Sequence, residues 1–362
     1  MIKKRIIVII VADMFDFLSR STLGVDIGTA SIKIVEIAKS LPKPKLKNYG
    51  ILRSRTYLER PNSAIQTNSL KILEKETADL LRILVKKAKF KSRNAVASIP
   101  SFSAFTTLLE MPIMSGVDVS KTMPFQIRQH IPLPVSEVVI DWNKVGERED
   151  EEGLKQQILM IAVPIEIKNK YQNIFKLAGL NLKSLETESV SLVRALAAAD
   201  PSPALIIDIG AYSTNIAVSE NGFLKTNFFS DFAGASLTKA IANGLNIGVK
   251  RAEELKKERG LMGGGGDYEL STLSEPHLDV IIEETNRAKN NYEKSFSRKI
   301  ERAIIAGGGA NLPGIGNYFE KRLGMATTIG SAFSRINYPP EIGLFSKELG
   351  PEFAVAVGLG LK

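Results

Sequence analysis

Two segments of this chain share one pattern and lie about half a chain length apart. The first is Leu23–Ile37 and the second is Leu205–Val218. In each, an apolar run ends in Asp-x-Gly, at Asp26 and at Asp208, and a second apolar run follows. Glycine permits the backbone angles of a tight hairpin, so each segment predicts a strand, a turn and a strand. The repeat indicates an internal duplication in which each of two lobes opens with the same hairpin.

Length and composition agree with two globular lobes. A chain of 362 residues is too long for one ordinary core. Cysteine is absent and there are only two histidines, His130 and His277, which excludes disulfides, thiolate metal sites and His-rich sites. The net charge of +9 favours an anionic neighbour, either nucleic acid or the inner leaflet of a membrane. Scattered Lys and Arg on a solvated surface account for most of that charge.

The first residues resemble a signal or anchor only superficially. Lys3, Lys4 and Arg5 precede an apolar run from Ile6 to Ala12. A bilayer span needs about 20 apolar residues, whereas Asp13 soon interrupts this run, and no A-x-A cleavage pattern follows. We therefore expect no transmembrane helix.

The segments between and after the hairpins have readable patterns. Apolar spacing predicts a helix over residues 69–89, and a strand over 96–100 ends on a proline. Glu147–Glu152 is expected to be a solvated turn, and Gly263–Gly266 a flexible loop, because it lacks the flanking strand and lysine of a P-loop. Residues 105–182 form a predicted module of strand (106–111), helix (119–130), strand (138–145), strand (157–164) and helix (166–178). Further helices are predicted at 235–243, 250–259 and 277–296.

Two Asp-x-Gly hairpins are what a phosphate site split between two lobes requires, because each turn offers backbone N–H groups and small hydroxyl side chains. Asp26 and Asp208 would hold Mg²⁺ through its water shell. Lys33 would add a charge-assisted contact. The predicted phosphate donors are Thr29, Ser31, Ser213, Thr214 and Asn215.

A third segment, Arg302–Glu320, adds to this site. An apolar strand leads into Gly307, Gly308 and Gly309, and a helix is expected to start at Pro313. Three glycines would let the backbone lie flat against an adenine ring.

These three motifs, with candidate interlobe helices at 188–198 and 351–360, resemble the actin-like ATPase superfamily over nearly the whole chain. Within it the chain resembles the type IV pilus assembly protein PilM family, a relative of the division protein FtsA, because a β-α-β-β-α module sits between the first sheet and the first connecting helix. The resemblance implies an α/β fold, the duplicated, ribonuclease H-like, two-lobed actin-like fold with an inserted small α+β subdomain.

The resemblance also implies a division of the chain. Residues 1–20 would be an N-terminal extension, with Met14 as an alternative native start. Lobe 1 would have its core in 21–104, 183–200 and 350–362, with 105–182 as the inserted subdomain. Lobe 2 would have its core in 201–244 and 300–349, and a helical subdomain in 245–299.

Carried over by position, the resemblance implies a nucleotide site and one catalytic candidate. Glu188 falls where the superfamily often has a glutamate that orients the attacking water, although Ser189 replaces the usual proline. Glu253 and Lys256 lie on one helix face and match a ribose- and base-contacting pair, or else form an ordinary surface salt bridge. The implied nucleotide-binding residues are Asp26, Gly28, Thr29, Ser31, Lys33, Asp208, Gly210, Ser213, Thr214, Asn215, Glu253, Lys256, Gly307, Gly308, Gly309 and Asn311.

The function implied is that of a cytoplasmic ATP-binding scaffold with Mg²⁺, at most a slow ATPase. It would bind the N-terminal tail of a PilN-like single-pass inner-membrane protein, with nucleotide modulating lobe closure, and reach the inner face of the membrane through such partners. Other pilus assembly proteins and self-association are further expected contacts.

Two alternatives remain from the sequence. An FtsA-like division protein would need an amphipathic C-terminal anchor, which is not seen before Lys362. A small-molecule kinase would need a sugar pocket and a base, for which the insertion offers no evident candidate. Nucleic-acid binding is not expected, because no aromatic-rich basic face is present.

Overall fold

The computed structural model describes residues 21–53, 74–150, 153–198, 200–261 and 268–362. The expectations for residues 1–20, for Met14 as a start and for Gly263–Gly266 lie outside these residues. In the described part of the chain, no helix combines the length and the apolar character needed to cross a bilayer.

The first of three sheets has five strands in the order β3-β2-β1-β4-β8. The hairpin β1–β2 is antiparallel, whereas β4 pairs in parallel with β1 and with β8. The strands are β1 (Ser21–Ile27), β2 (Ser31–Ala38), β3 (Lys45–Arg53), β4 (Asn94–Ile99) and β8 (Asn181–Thr187). The sequence did not predict β8, which has no strong alternation of its own.

The second sheet repeats this arrangement, in the order β11-β10-β9-β12-β13. Again a hairpin, β9–β10, is antiparallel, and the strand after the crossover, β12, pairs in parallel with the first strand. The strands are β9 (Ala204–Ile209), β10 (Thr214–Glu220), β11 (Phe223–Ser230), β12 (Arg302–Ala306) and β13 (Ala326–Ile329). Two sheets with one topology confirm the predicted duplication.

The predicted module between the lobes has the expected order of elements. Its antiparallel sheet has the strand order β5-β7-β6. The elements are β5 (Phe105–Pro112), α2 (Gly116–His130), β6 (Val138–Asp150), β7 (Gly153–Pro164) and α3 (Ile165–Ala178). The expectation that Glu147–Asp150 lies in a turn is wrong, because pairing with β7 continues as far as Asp150 opposite Gly153. Residues 151 and 152 are outside the described part.

The buried residues of α3 belong to the core of the first five-stranded sheet and not to that of the small sheet. Among them, Tyr171, Ile174 and Phe175 share a core with β1, β2 and α1 (Glu74–Lys87). The small sheet and α2 have a separate core that includes Met123 and Met160. By packing, therefore, the added module consists of β5, α2, β6 and β7, and α3 covers the first five-stranded sheet.

The remaining helices differ from the predictions at three points. The long helix α7 begins at Tyr268, nine residues before the predicted start at His277. It contains Pro276, whose missing N–H removes one hydrogen bond without ending the helix. A positive φ of 85° at Gly314 delays α8 to Ile315, so Pro313 does not start it. The expected helix at 351–360 is broken at Phe353 into α9 and α10. The helices are α4 (Glu188–Leu196), α5 (Gly234–Gly244), α6 (Val249–Arg259), α7 (Tyr268–Phe296), α8 (Ile315–Leu323), α9 (Ser346–Glu352) and α10 (Ala354–Gly360).

Helices α4 and α10 pack directly on each other, and α10 also packs on the first hairpin. A Cβ on Gly358 would lie 2.0 Å from the carbonyl oxygen of Ser191, and one on Gly24 would lie 2.0 Å from that of Ala356. Only glycine permits such contact between backbones. Helix α10 thus supports the first hairpin and connects it to α4.

Candidate functional site

A cleft of about 1450 Å³ opens between the two five-stranded sheets. Both hairpins, the glycine turn after β12 and parts of α4, α6 and α9 line it. Thr214 is the one predicted site residue that does not. The predicted residues that line the cleft are Asp26, Gly28, Thr29, Ser31, Lys33, Glu188, Asp208, Gly210, Ser213, Asn215, Glu253, Lys256, Gly307, Gly308, Gly309 and Asn311.

The two hairpin turns have the same closure. The backbone N–H of Gly28 donates to the carbonyl of Ser31 at 2.9 Å, and that of Gly210 donates to the carbonyl of Ser213 at 2.9 Å. A Cβ on Gly210 would lie 2.8 Å from the oxygen of Ser213, so the turn requires glycine there. Identical turns on opposite walls give the cleft a near-symmetric pair of backbone surfaces.

On the first wall, Lys33 and Asp26 form a buried pair. Strands β1 and β2 place them opposite each other, and Nζ of Lys33 donates to Oδ2 of Asp26 at 2.8 Å. The Ser98 hydroxyl donates to Oδ1 of Asp26 at 3.1 Å. Burial opposes the charged lysine, but Asp26 and Glu352 outweigh it and raise the pKa of Lys33. Lys33 is therefore a fixed ammonium at the floor of the cleft.

On the second wall, Asp208 occupies the place that corresponds to Asp26. Burial raises the pKa of Asp208 to about 7; the Lys33 ammonium opposes this rise and the Asp26 carboxylate adds to it. The effect of Asp26 on Asp208 shows that the two turn carboxylates lie near enough to interact across the cleft.

Two predicted phosphate donors on this wall serve other contacts. The Thr214 hydroxyl is fully buried and donates to the carbonyl of Phe232 at 2.7 Å, so it is not presented to the cleft. The Asn215 amide donates to the hydroxyls of Ser101 and Ser189 at 2.8 and 3.0 Å. Asn215 thus joins lobe 2 to the loop after β4 and to α4. Inward alternation along β10 takes Thr214 away from the turn surface, which the motif alone does not reveal.

Glu188, the catalytic candidate, begins α4 and faces the cleft. Burial raises the pKa of its carboxyl well above the ordinary value; Asp26 and Asp208 add to the rise, and the backbone N–H of Ser101 opposes it. A cation near these three carboxyl groups would favour their ionised forms.

The glycine turn packs on the second hairpin more than was predicted. Gly307 has a φ of 79°, and its Cβ would lie 2.4 Å from Oδ1 of Asp208. A Cβ on Gly309 would lie 2.4 Å from Cγ2 of Ile209, whereas a Cβ on Gly308 would meet no atom within 4 Å. Two of the three glycines are therefore required by packing against β9, and only Gly308 faces open space. The Asn311 amide donates to the carbonyl of Glu348 at 2.9 Å.

Glu253 and Lys256 form a buried pair and not an exposed surface salt bridge. Nζ of Lys256 lies 2.7 Å from Oε2 of Glu253 and donates to the hydroxyl of Thr238 and the carbonyl of Gly234, each at 2.8 Å. Burial opposes ionisation of Glu253, but Lys256 and its hydrogen bonds lower the pKa of Glu253 to about 2. The pair ties α6 to α5 along the edge of the cleft.

Sequence reasoning missed several charged residues that line the cleft, among them Arg53 and Glu352. Glu352 is buried, and its Oε2 accepts from the guanidinium of Arg53 at 2.7 Å. Both line the cleft. A lone acidic residue at the start of the apolar run after Pro351 was the signal that could have identified Glu352.

The donor set suits a hydrated cation. Among the described residues, no three His, Asp or Glu side chains form a ready metal cage. Asp26, Asp208 and Glu188 nevertheless bring three carboxyl groups to one cleft, and Mg²⁺ commonly uses one or two protein carboxylates and keeps its waters. These residues therefore fit Mg²⁺ held partly through water.

Known proteins resemble the chain in sequence and in structure. The sequence model of one family, type IV pilus assembly protein PilM, matches residues 24–362. A solved PilM-PilN type IV pilus biogenesis complex matches with a TM-score of 0.80 and 23% identity, over 94% of this chain and 97% of that chain.

Two further structures share the fold at lower identity. Ethanolamine utilization protein EutJ from Carboxydothermus hydrogenoformans has a TM-score of 0.59 at 17% identity, over 97% of this chain and 92% of that one. MreB 5 of Spiroplasma citri bound to AMPPNP has a TM-score of 0.53 at 15% identity, over 94% of each chain. These likenesses confirm the two-lobed actin-like α/β fold. Because the family match covers nearly the whole sequence, the chain belongs to the type IV pilus assembly protein PilM family.

Proposed function

We propose that this chain binds ATP with Mg²⁺ in its interlobe cleft and serves as a scaffold that holds the tail of a PilN-like membrane protein. One observation carries the nucleotide assignment: both Asp-x-Gly turns and the glycine turn face a single cleft. MreB 5, which has the same fold, was solved with AMPPNP bound.

The residues in the cleft divide the work of holding such a nucleotide. Lys33 supplies a cation for phosphate oxygens. Asp26 and Asp208 hold the metal, which neutralises phosphate charge when bound. Gly308 is the glycine whose open face suits an adenine ring. The hydroxyls of Thr29, Ser31 and Ser213 complete the donor set on the two turns.

Hydrolysis is expected to be slow. Glu188 faces the cleft, but catalysis needs the attacking water placed to about an ångström. Among the described residues, the backbone N–H of Ser101 and the Lys33 ammonium are the groups that oppose the raised pKa of Glu188. We assign Glu188 the orientation of that water in a site built mainly for binding.

Calorimetric titration with ATP tests the nucleotide site, with and without Mg²⁺. We expect binding that Mg²⁺ strengthens and that the Asp26→Asn, Asp208→Asn double variant loses. The matched control is Asp141→Asn, an exposed aspartate in β6. Absence of ATP binding by the native chain, or equal binding by the double variant, would refute the assignment.

The added module supports the partner assignment. The solved relative is a complex of PilM with PilN. On this module, Ile113, Val117, Phe125, Val139 and Leu154 are all exposed, and Phe125 is 65% exposed. Val117 and Phe125 lie eight positions apart on one face of α2, and exposed apolar side chains on one helix face mark a surface that gains by covering with an apolar partner. We propose that the PilN-like tail binds as an extended peptide beside this module.

Fluorescence anisotropy with a labelled tail peptide of the PilN-like protein from the same genome tests this surface. Phe125→Asp is expected to weaken binding by more than about tenfold, as loss of an apolar anchor does. Leu344→Asp is the matched control, because Leu344 is 88% exposed and lies outside the module. Equal affinity of the two variants would place the tail elsewhere.

Nucleotide is proposed to act through closure of the lobes. The Asn215–Ser101–Ser189 hydrogen bonds connect the second hairpin to the loop that enters β5 and to α4. A nucleotide can change partner affinity only as far as it binds the closed arrangement better. We expect tail affinity to differ between ATP, ADP and no nucleotide; identical affinities would refute the coupling and leave the scaffold role intact.

The place of action and the division of the chain follow from these roles. The scaffold is proposed to act in the cytoplasm, at the inner face of the inner membrane through its PilN-like partner, with other assembly proteins and further copies of itself as additional contacts. The proposed division of the described residues is lobe 1, inserted module, lobe 2 and helical subdomain.

A further inference from the structure

The end of the first sheet opposite the cleft carries a dense group of cations, which we call the basic end. Residues 37–47, 84–99 and 176–185 contain four, five and two Lys or Arg residues and no Asp or Glu. These eleven exceed the net charge of +9 of the whole chain. They are Lys39, Lys43, Lys45, Lys47, Lys86, Lys87, Lys89, Lys91, Arg93, Lys176 and Lys183.

Hydrogen bonds bring the three segments together on one surface. The buried carboxylate of Glu36 accepts from the backbone N–H groups of Lys91 and Ser92 at 3.0 and 3.1 Å, which holds the loop after α1 under β2. The amide of Asn48 in β3 donates to the carbonyl of Ala88. The N–H of Asn181 donates to the carbonyl of Arg93 at 2.7 Å, which adds the start of β8.

Most of these cations are exposed and have no carboxylate partner. Glu36, the acid beneath this surface, is 3% exposed and is occupied by backbone N–H groups and the Ser21 hydroxyl. Like charges gathered in this way repel one another and attract an anionic surface. Within the ranges that the structure describes, nine of the eleven are exposed without an ion pair: Lys39, Lys43, Lys86, Lys87, Lys89, Lys91, Arg93, Lys176 and Lys183.

A leucine projects from the middle of this charge. Leu41 lies in the loop between β2 and β3, flanked by Lys39 and Lys43, and is 96% exposed. That is the highest exposure of any large apolar side chain among the described residues. Prolines 42 and 44 restrict the loop on one side of it.

The leucine distinguishes between the classes of anionic partner. A partner that offers only negative charge, such as a nucleic acid or an acidic tail, would pair with the lysines and leave Leu41 in water. A bilayer offers both chemistries at once, because phosphate headgroups attract the cations and the acyl boundary accepts an apolar tip.

We propose that the basic end contacts an anionic bilayer directly, with lysines on lipid phosphates and Leu41 inserted at the acyl boundary. The cleft is at the other end of the same sheet, so it then lies away from the membrane. This contact is independent of the nucleotide site, and it adds a second membrane attachment to the one through the PilN-like partner.

Vesicle flotation of the full chain tests this contact, with phosphatidylcholine vesicles that contain a third phosphatidylglycerol and with pure phosphatidylcholine. We expect the chain to float only with the anionic vesicles, and less at high salt. Near an anionic surface each cation contributes about a fivefold factor. The variant Lys39→Gln, Lys89→Gln, Lys91→Gln, Arg93→Gln should therefore lower partitioning by more than about a hundredfold.

A matched control removes the same charge elsewhere. Lys239, Lys294, Lys299 and Lys321 are exposed and lie on or beside α5, α7 and α8. Changing all four to Gln is expected to leave most of the binding to anionic vesicles intact. An equal loss in the control variant, or no flotation of the native chain, would overturn the proposal.

Leu41→Ser tests the lipid assignment itself. Loss of one apolar tip should reduce partitioning by roughly tenfold, with an unchanged melting temperature since the side chain is exposed. Binding of Leu41→Ser equal to that of the native chain would overturn the bilayer as partner, because only a soluble polyanion makes no use of the leucine. Inorganic phosphate and sodium chloride at equal ionic strength should lower flotation equally; a greater loss with phosphate would show that the basic end binds free phosphate and would count against the bilayer.

Discussion

Nζ of Lys33 lies 2.8 Å from Oδ2 of Asp26, and the first hairpin pairs these two residues directly across its strands. The pair fixes the Lys33 ammonium in the cleft, where we expect the phosphates to lie. It also shows why the two Asp-x-Gly turns are not equivalent. Asp26 has a cation beside it, whereas burial raises the pKa of Asp208 to about 7.

Loss of the Lys33 cation should weaken ATP binding. Lys33→Met keeps the length of the side chain and removes the charge-assisted bond, which is typically worth about 1.5–3 kcal/mol, or roughly 10- to 150-fold in affinity. Titration with a fluorescent ATP analogue measures this. Lys239→Met on α5 is the control and should bind as the native chain does. A Lys33→Met chain with native affinity would remove Lys33 from the phosphate site.

Asp208 should make the ligand-free chain less stable as pH rises. A carboxyl whose pKa is raised by folding holds its proton in the native state between its unfolded pKa, near 4, and about 7. The free energy of unfolding therefore falls across that window, by roughly 2 kcal/mol after allowance for partial exposure. Urea titrations in EDTA at several pH values measure it. Asp208→Asn should reduce the slope and leave the part that comes from Glu188, whose pKa is also raised, and an unchanged slope would show that Asp208 titrates normally.

Gly307 should tolerate no side chain, whereas Gly308 should. A Cβ at Gly307 would meet Oδ1 of Asp208 at 2.4 Å in a left-handed backbone conformation, but at Gly308 it would meet nothing within 4 Å. Gly307→Ala is expected to cost about 2 kcal/mol or more, as overpacking combined with backbone strain does. Gly308→Ala should leave the free energy of unfolding within about 0.5 kcal/mol and weaken ATP binding. Equal stability of the two variants would contradict the packing described for this turn.

Substitution of Asn215 is expected to lower stability, whereas substitution of Ser213 is expected to weaken ATP binding. Asn215→Ala leaves the buried hydroxyls of Ser101 and Ser189 without their shared partner, which costs about 1–3 kcal/mol. Ser213 lines the cleft, so Ser213→Ala should weaken ATP binding with little change in stability. Thermal denaturation and ATP titration of both variants decide this. The reverse pattern would make Asn215 the phosphate donor.

Lys225 should hold the added module against lobe 2. Its Nζ is buried and donates to the carbonyl of Val145 at 2.9 Å and to Oε1 of Gln157 at 2.7 Å. Lys225→Met leaves both acceptors without a donor and removes one cation beside Glu220. We therefore expect the free energy of unfolding to fall by about 3 kcal/mol. Amide hydrogen exchange should rise in β6 and β7. Lys294→Met, on an exposed position of α7, is the control. Unchanged exchange in both strands would show that the module is held by other contacts.

The repeated hairpins were predictable because local chemistry determines them. Asp-x-Gly at Gly28 and Gly210 fixes the turn, and apolar runs fix the strands on either side. The order of elements in the added module followed from apolar spacing in the same way. The end of β6 did not, because a charged run such as Glu147–Asp150 forms a strand only when β7 supplies the partner.

The interior of the site could be predicted less well, since it depends on which side chains other elements occupy. Thr214 and Asn215 fit a phosphate motif in sequence, yet the carbonyl of Phe232 and the hydroxyls of Ser101 and Ser189 take up their polar atoms. Glu352 and Arg53 meet in the cleft although 299 positions separate them in the chain. Sequence spacing carries no information about such pairs.

A structure of the chain crystallised with AMPPNP and Mg²⁺ tests the nucleotide site most directly. We predict that the phosphates lie between the turns at Gly28 and Gly210, with the metal between Asp26 and Asp208 and the adenine against Gly308. A nucleotide bound outside this cleft, or a cleft without nucleotide at saturating AMPPNP, would contradict the account.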